Sequence, residues 1–480
     1  MASRRRFSAS SGEFCGRAGR WGLLALLFLA PLPFGSVVGP AWAFLAAGFG
    51  LLLAVAAVSF LTESRPFPRH CLWVVFAAAL LSIPALLQLI PLPPFLVKLL
   101  SPAAADLYAA GGELPLVWMP LSVDRSATLA GLLWIGTCGA AAFLTVALFD
   151  RRSIRPLLGG LLILGTGEAL YGLMEFLSGQ NRIFFYHKIY YTESVTGTYI
   201  NRNHFAGLMV MLLPVGLGWL LARGGAMRPA RDAGWRARCL ALGDPEVSKN
   251  LLLALVAAVM AAGLALSFSR AGVALGAMAL GAVFLLWYRF TRSRRSGGAW
   301  RGLIWAGLIL VLAVLPLTIR GGGRLATAST DLPSELGSPA GRPVVWAATA
   351  GIFRDHPVLG TGLGTFQQVF TRYRPPGTGG IYQHAHEDYL EWLAETGIMG
   401  ALCGAGFFAG LCFVVYRALA GRWTEPDLGL KLGLVVGLAC LALHGLVDFN
   451  GHLPANTLIA SVLAASLLVL GREDLSRSTT

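Results

Sequence analysis

The residue types best suited to proton transfer or metal binding stand together in QHAHED, residues 383–388, directly before a long apolar run. A neutral imidazole at His384 or His386 can take a proton from a hydroxyl near neutral pH. The H-x-H spacing beside Glu387 and Asp388 also supplies ligand types that suit a metal ion. The segment is therefore a candidate catalytic site, with a general base and a metal centre as its two chemical interpretations.

Glutamates continue this pattern into the apolar run. Glu387, Glu391 and Glu395 recur every four residues, so they share one stripe of a helix. Negative charge at Glu387 and Asp388 suits the first turn, because it complements the helix dipole. Glu391 and Glu395 are expected to be solvated on the outer turn of a helix that is too long for the bilayer.

Two arginines are candidates for holding an anionic group near the histidines. Arg270 lies in LSFSRAG, residues 266–272, between two apolar runs that almost no loop separates. A guanidinium at the membrane edge is costly without an anionic partner. It either reaches a lipid phosphate or pairs with a phosphorylated substrate, since its planar fork fits two phosphate oxygens at once. Arg342 is the candidate for a second cation, and Glu168 or Glu175 is a possible carboxylate partner for Arg270.

An aromatic and polar segment, NRIFFYHKIYYTESVTGTYINRNHFAG, covers residues 181–207. Aromatic faces beside Asn and Arg donors suit a carbohydrate surface, while an interfacial aromatic belt is the alternative. Asn203 is also a candidate helix cap, and His444 with Asp448 is a candidate orienting pair elsewhere in the chain. The candidate substrate-binding residues are Tyr199, Asn201, Arg202, Asn203, His204, His384, Glu387 and Asp388.

The elements that must position these residues are membrane helices. Of the 480 residues 56% are hydrophobic and only 13% are charged, which leaves a soluble domain too little polar surface to cover itself. A helix needs about 20 apolar residues to cross the hydrocarbon core. Suitable runs lie at 21–38, 40–61, 71–90, 127–149, 156–177, 204–222, 250–267, 271–288, 302–319, 389–416, 430–448 and 453–471. The sequence predicts an all-α polytopic membrane protein with about twelve transmembrane helices, in which 1–480 form a single transmembrane domain.

Basic residues predict the orientation, because Lys and Arg accumulate in cytoplasmic loops. With the N-terminus inside, the alternate loops on that side carry 26 of the 38 Lys and Arg residues, and both termini are cytoplasmic. The opposite side then carries 178–203, 268–271 and a large periplasmic loop, 320–388, between helices 9 and 10. Helical spacing of Val345, Ala348, Thr349 and Ile352 predicts a short helix in this loop. Gly360, Gly362 and Gly364 then predict a turn.

Composition and spacing also bear on partners. The net charge of +14 is spread over loops that contact anionic lipid, whereas nucleic-acid binding would need one contiguous basic patch. The seven cysteines show no CxxC spacing typical of zinc or redox chemistry. We therefore expect the lipid bilayer as a partner, no nucleic acid and no cofactor.

Four segments in order resemble the O-antigen ligases and polymerases of bacterial envelopes. They are TGTYINRNHFAG (196–207), LSFSRAG (266–272), GRPVVWAATAGIFRDHPVLGTGLGTF (341–366) and HEDYLEWLAETGIMG (386–400). The last is similar to the family pattern of a His and a polar residue, nine intervening residues, and then Gly-x-x-Gly, with His386, Gly397 and Gly400 in place. Glu387 departs from that pattern, since the family usually has Asn, Ser or Gln there.

The resemblance implies a GT-C-like membrane glycosyltransferase that needs no metal. A glycan on an undecaprenyl diphosphate carrier would be transferred, with inversion, to an acceptor hydroxyl at the periplasmic face of the inner membrane. His386 would be the general base, while Arg270 and Arg342 would stabilise the diphosphate as it leaves. The acceptor would be another glycan or lipid A core, with pilin as an alternative. A flippase or transporter that forms no bond is the rival class; it would predict an inverted repeat.

Overall fold

The computed structural model describes residues 2–63, 68–110, 118–223, 244–291, 341–376, 380–421 and 423–472. The predicted span 302–319 and the first part of the long loop, 320–340, lie outside these residues. The described helices are α1 (Ala2–Leu29), α2 (Gly39–Glu63), α3 (Cys71–Leu89), α4 (Pro94–Leu100), α5 (Pro102–Ala110), α6 (Arg125–Leu148), α7 (Ile154–Ser178), α8 (Arg202–Arg223), α9 (Pro245–Leu266), α10 (Arg270–Thr291), α11 (Arg342–Asp355), α12 (Phe366–Tyr373), α13 (Asp388–Ala420), α14 (Glu425–His444) and α15 (Pro454–Leu470). One two-stranded hairpin pairs β1 (Arg182–Ile183) with β2 (Tyr186–His187).

Nine of the described helices are long and apolar enough to cross a membrane. The prediction of an all-α polytopic membrane protein is confirmed, and the count of about twelve transmembrane helices stays a prediction. The predicted run 21–38 differs most from the structure, because α1 extends back to Ala2 and ends at Leu29. Pro31 and Pro33 follow that end and cannot donate the backbone hydrogen bonds that would continue the helix.

Helix α8 lies at the centre, with nearly all of its apolar stretch buried. It packs against α14 through glycines spaced four residues apart. Gly429 faces the Gly218 carbonyl, and a Cβ at Gly433 would lie 2.5 Å from the Pro214 carbonyl oxygen. Such small residues let two helix backbones approach closely. Because the pairing runs antiparallel, the start of α8 meets the end of α14.

The long connections gather at one end of the helices. Val195 N–H donates to the Leu266 carbonyl (3.0 Å), Asp388 N–H to Gly445 (2.8 Å), and Val123 N–H to Thr361 (2.9 Å). The first bond joins the connection after α7 to the end of α9, and the other two join the connections after α14 and α5 to the segment around α11–α13. We call this end of the molecule the site end.

The opposite end holds a different set of connections. Asp427 accepts from Arg151 Nε at 3.0 Å and from Arg155 at 2.9 Å. Arg472 donates to the Phe149 carbonyl at 2.9 Å. The described connections therefore alternate between two ends as a polytopic helical protein requires.

A helical layer covers the site end. Val345, Thr349 and Ile352 are buried on one face of α11, as their spacing predicts, and Ala348 packs beside them. Ser101, between α4 and α5, bonds to His356 Nδ1 at 2.8 Å. Helices α4 and α5 were not predicted among the functional outer segments, yet the Ser101 contact shows that they support this layer.

Candidate active site

The segment 383–388 is held where α13 begins. Glu387 is the N-cap, and its carboxylate accepts from the Tyr389 and Leu390 backbone N–H groups. Asp388 in the first turn accepts from Gly451 N–H at 2.7 Å. The start of α13 is thus fixed to the connection between α14 and α15, because Asp388 binds it through both backbone and side chain.

His386 combines backbone strain with partial exposure. Its φ is 57°, a left-handed conformation that costs a non-glycine residue about 1–2 kcal/mol. Nδ1 is buried and lies 4.0 Å from Asp448 Oδ1, while the side chain is 36% exposed. Burial lowers the pKa of His386 below its ordinary value, and the nearby Arg342 also lowers it, whereas the Asp448 charge acts in the opposite direction. The imidazole is therefore neutral at neutral pH, with its other edge available.

Asp448 joins the segments around His386. Asn203 Nδ2 donates to its Oδ2 at 2.6 Å, and Arg342 lies 3.7 Å from the same oxygen. His204 Nε2 lies 3.7 Å from Oδ1. Burial alone would raise the pKa of Asp448, but the imidazoles and Arg342 around it lower it below the ordinary value. A carboxylate that is only 2% exposed is thus kept ionised by its neighbours.

Phe449 is the apolar centre of the cluster. The His384 ring stacks on it, with centroids 4.4 Å apart, while His204 and His386 approach edge-on at 4.5 and 4.8 Å. Phe449 therefore fixes three imidazole orientations with one side chain. Five of the eight histidines in the chain lie in or beside this cluster, at His204, His384, His386, His444 and His452.

Three residues beside Phe449 have the arrangement of a possible metal site. His384, Glu391 and His452 each offer a ligand atom, and these atoms lie within 4.8 Å of one another. Glu391 Oε1 is 2.7 Å from His384 Nδ1 and 3.6 Å from His452 Nε2. His452 Nδ1 meets Asp388 Oδ1 at 2.7 Å, the kind of outer contact that often orients a metal-bound histidine.

Protonation of His452 accounts for the arrangement of His384, Glu391 and His452 without a metal ion. Burial would lower the pKa of His452, but the Glu391 and Asp388 carboxylates raise it to about 10. The imidazolium then pairs with the buried Glu391 and the partly exposed Asp388, and a metal ion would have to displace its proton. We interpret the cluster as an ion-pair network, and metal-independent chemistry stays a prediction.

The prediction that Glu391 and Glu395 are solvated is wrong, since both side chains are only 1% exposed. Glu395 accepts from the Gly364 and Phe366 N–H groups, each at 2.8 Å, and so holds the glycine turn. Glu391 accepts from Ala385 N–H at 2.6 Å and holds the histidine segment. The stripe faces inward because the outer layer folds over it.

The polar residues at the start of α8, which were predicted to bind substrate, have different contacts in the structure. Asn201, rather than Asn203, caps the helix, because its Oδ1 accepts from Asn203 N–H at 2.9 Å. Arg202 lies over the Tyr191 ring at 5.3 Å. Asn203 instead binds Asp448, as described above. Asn201 and Arg202 are half-buried and keep part of their polar groups at the surface.

Tyr199 does not fit the predicted sugar contact. Its side chain is fully buried, and the hydroxyl donates to Asn456 Oδ1 at 3.0 Å. Asn456 Nδ2 in turn donates to Asn450 and to the His204 carbonyl. Because the chain before α8 turns into the core, Tyr199 supports the histidine cluster from the protein interior, through Asn456. His444 is bonded to Asn450 at 2.8 Å rather than paired with Asp448.

Arg270 begins α10 at the site end. A Cβ added at Gly272 would lie 2.5 Å from Ala206, so the first turns of α10 and α8 are in close contact. Glu168 accepts from Thr198 N–H at 2.9 Å, and Glu175 pairs with Lys188 at 3.0 Å. These two carboxylates hold the segment before α8.

Phe449, Asn450 and His452 are parts of the site that were not predicted from the sequence. They belong to DFNGHLPAN, residues 448–456, a short polar stretch between two apolar runs. A Phe near an Asp and a His in such a stretch was the sequence feature that could have indicated a site. The proximity of this stretch to residues 383–388, however, depends on how the helices pack.

Comparisons with known proteins bear on the family alone. No curated protein matches the chain. The family model described as O-Antigen ligase matches residues 255–405, a region that contains Arg270, Arg342 and His386. This match confirms, for these residues, the resemblance to the O-antigen ligase and polymerase family drawn from the sequence motifs, and at a coarse level it agrees with a multi-pass bacterial membrane enzyme that acts on lipid-linked glycans.

Proposed function

We propose that the protein transfers a glycan from an undecaprenyl diphosphate carrier to an acceptor hydroxyl, without a metal and with inversion at the anomeric carbon. The observation that carries this proposal is the His386–Asp448 pair at the site end. A neutral, half-exposed imidazole is backed by a buried carboxylate at 4.0 Å. The site faces the periplasm of a bacterial inner membrane, where lipid-linked glycans are displayed.

His386 acts as the general base. Its exposed nitrogen takes the proton of the acceptor hydroxyl, and the oxygen then attacks the anomeric carbon from the face opposite the carrier. The bond between that carbon and the diphosphate oxygen breaks, and its electron pair leaves with the diphosphate. The imidazolium that forms is stabilised by Asp448, which faces the buried nitrogen of the same ring.

Arg342 and Arg270 stabilise the leaving diphosphate. The Arg342 guanidinium lies 3.7 Å from Asp448, longer than a hydrogen bond, and its side chain is 40% exposed. Its N–H groups can thus face phosphate oxygens while its charge stays beside the base. Arg270, at the start of α10, supplies a second cation at the membrane edge, where a lipid carrier enters.

The partly exposed polar groups around this pair form the sugar-binding surface. Asn201 and Arg202 approach from α8, while His384 and Glu387 approach from the start of α13. Asn203 and Asp388 act indirectly in this proposal, since they bind Asp448 and His452.

The direct test is the variant His386→Ala in proteoliposomes with a lipid-linked glycan and an acceptor. We expect glycosidic product to fall by about 10²–10⁴-fold, the usual contribution of a general base, while the lipid-linked glycan still binds. His187→Ala is the matched control, because His187 is exposed on the hairpin away from the cluster. Normal transfer by His386→Ala would overturn the base assignment. Glycan movement across vesicles with no new bond would instead indicate a transporter.

Deletion of the protein from its host distinguishes the acceptors. Accumulation of single repeat units on the carrier would indicate polymerase activity. Long chains stranded on the carrier would indicate ligase activity towards lipid A core. Loss of glycan from pilin with unchanged envelope glycans would indicate the protein acceptor.

A further inference from the structure

The hairpin that follows α7 folds back along that helix instead of projecting from it. Phe184, in the turn of the hairpin, packs against Tyr171 with the two rings tilted by 33° and their centroids 5.1 Å apart. The Phe184 backbone N–H also donates to the Tyr171 hydroxyl at 2.7 Å. Tyr171 precedes the end of α7 by seven residues, so the turn lies about 10 Å below the helix end.

A buried ion pair holds the hairpin in this position. Lys188 Nζ is 3.0 Å from Glu175 Oε2, and both side chains are almost completely buried. The same amine donates to the Ser194 carbonyl at 3.1 Å. Tyr186 packs edge-on against Phe34, beside the connection from α1 to α2, with centroids 5.4 Å apart. The hairpin is thus fixed on two sides, and its depth follows from the fold.

The length of α7, compared with the thickness of the hydrocarbon core, places this turn within the bilayer. The helix has 25 residues and is about 37 Å long, which exceeds a hydrocarbon core of about 30 Å by a few ångströms at each side. A turn about 10 Å below the helix end therefore lies about 6 Å inside the hydrocarbon boundary. This depth is typical of interfacial membrane segments, which bury their apolar side about 5–10 Å.

The outer surface of the hairpin is apolar. Phe185 is fully exposed, and Ile189 and Tyr190 are largely exposed. Met174 and Leu177, on the neighbouring face of α7, are also largely exposed and lie within a predicted membrane span. The exposed side chains of the hairpin therefore continue a surface that the bilayer already covers.

We infer that the hairpin and its following residues, 181–191, are inserted into the bilayer leaflet on the side of the site, with Phe185 in contact with acyl chains. The backbone supports this location. A turn at that depth must satisfy its polar groups internally, and the Tyr171 hydroxyl does so for the Phe184 N–H. Arg182 and His187, the outer pair of the hairpin, are exposed, and the inferred depth of the turn places them at the level of the lipid head groups.

Photocrosslinking in lipid nanodiscs tests this inference independently of enzymatic activity. The photoreactive residue p-benzoylphenylalanine replaces Phe185 in the full-length protein, in nanodiscs of phosphatidylethanolamine and phosphatidylglycerol. The same replacement at Leu177 is the control for a lipid-facing residue of α7. Replacement at Gln367, exposed on α12, is the control for a residue in water. Intact-mass measurement after irradiation detects one added phospholipid.

We expect the Phe185 position to form the phospholipid adduct to about the same extent as the Leu177 position, and the Gln367 position to form none. A Phe185 position that behaves like Gln367 would overturn the inference. So would a covalent dimer of two chains, because it would show that a second copy covers the hairpin. An aromatic replacement at an exposed position leaves the packed side of the hairpin unchanged, so folding is preserved.

Discussion

His386 lies between a negative and a positive residue, and the two act on its proton in opposite directions. Asp448 favours the imidazolium, whereas Arg342 favours the neutral ring, and burial lowers the pKa of His386 further. Since the base must be neutral, the rate falls as the pH decreases through this pKa. The pH at which the rate falls therefore reports on both neighbours.

Asp448→Asn and Arg342→Gln should shift the acidic limb of the kcat/KM profile in opposite directions. Loss of the Asp448 charge lowers the pKa of His386 and moves the limb to lower pH. Loss of the Arg342 charge raises this pKa and moves the limb to higher pH. Both variants should also lose rate, on the order of 10²-fold, because each removes a charge that stabilises the transition state. Shifts of the same sign, or a limb that stays in place, would contradict His386 as the titrating group.

Residue type made part of this site predictable from the sequence. Histidines and arginines that border apolar runs are costly, so His386 and Arg270 stood out without a structure. Phe449 did not stand out, and Tyr199 was predicted to contact sugar, because the sequence does not show which aromatic residues near a membrane surface are enclosed. Only the packing shows that Phe449 carries three imidazoles while Tyr199 is enclosed.

Helix α13 is interrupted at Gly397, and the interruption is where the outer layer is attached. Gly397 has φ 64° and ψ −162°, a conformation that is essentially limited to glycine. Ile398 N–H donates to the Pro357 carbonyl at 2.8 Å, and Met399 N–H to Val358 at 3.2 Å. The break thus lets a loop replace part of the helical hydrogen bonding, two residues beyond Glu395.

Gly397→Ala should destabilise the protein severely and reduce transfer activity. The new Cβ would lie 2.5 Å from the Val358 carbonyl carbon, which is backbone and cannot move aside, and the φ is strained for alanine. Gly410→Ala in the same helix is the matched control, because no atom lies within 4 Å of its added Cβ. We expect that control to be unchanged or more stable by up to about 1 kcal/mol. Thermal unfolding in detergent measures both, and equal effects would refute the role of the break.

Nine of the twelve predicted runs correspond to described helices that are long and apolar enough to cross a membrane, since a helix in lipid must satisfy its backbone internally wherever it crosses. The residues at which the helices end were less predictable. The predicted run 430–448 includes Asp448, yet α14 ends at His444 and leaves the following residues to form the site. The break in α13 was also not predicted, because the hydrophobicity of a segment does not indicate the backbone angles at Gly397.

At the scale of the whole molecule, the described connections separate into two ends with different chemistry. The site end gathers histidines around Asp448 and Phe449. The opposite end gathers basic residues, as at Asp427 with Arg151 and Arg155. This asymmetry agrees with the count of 26 Lys and Arg residues against 12 in the sequence, but the orientation in the membrane stays a prediction.

Cysteine labelling of spheroplasts tests that orientation. Thr371→Cys places a thiol on the exposed surface of α12 at the site end, and Arg152→Cys places one on the exposed connection between α6 and α7 at the opposite end. Because basic loops stay in the cytoplasm, a membrane-impermeant maleimide should label Thr371→Cys in intact spheroplasts and Arg152→Cys only after lysis. The unsubstituted protein measures the background from its seven native cysteines. The reverse pattern would place His386 in the cytoplasm, and it would exclude transfer to an acceptor on the periplasmic face.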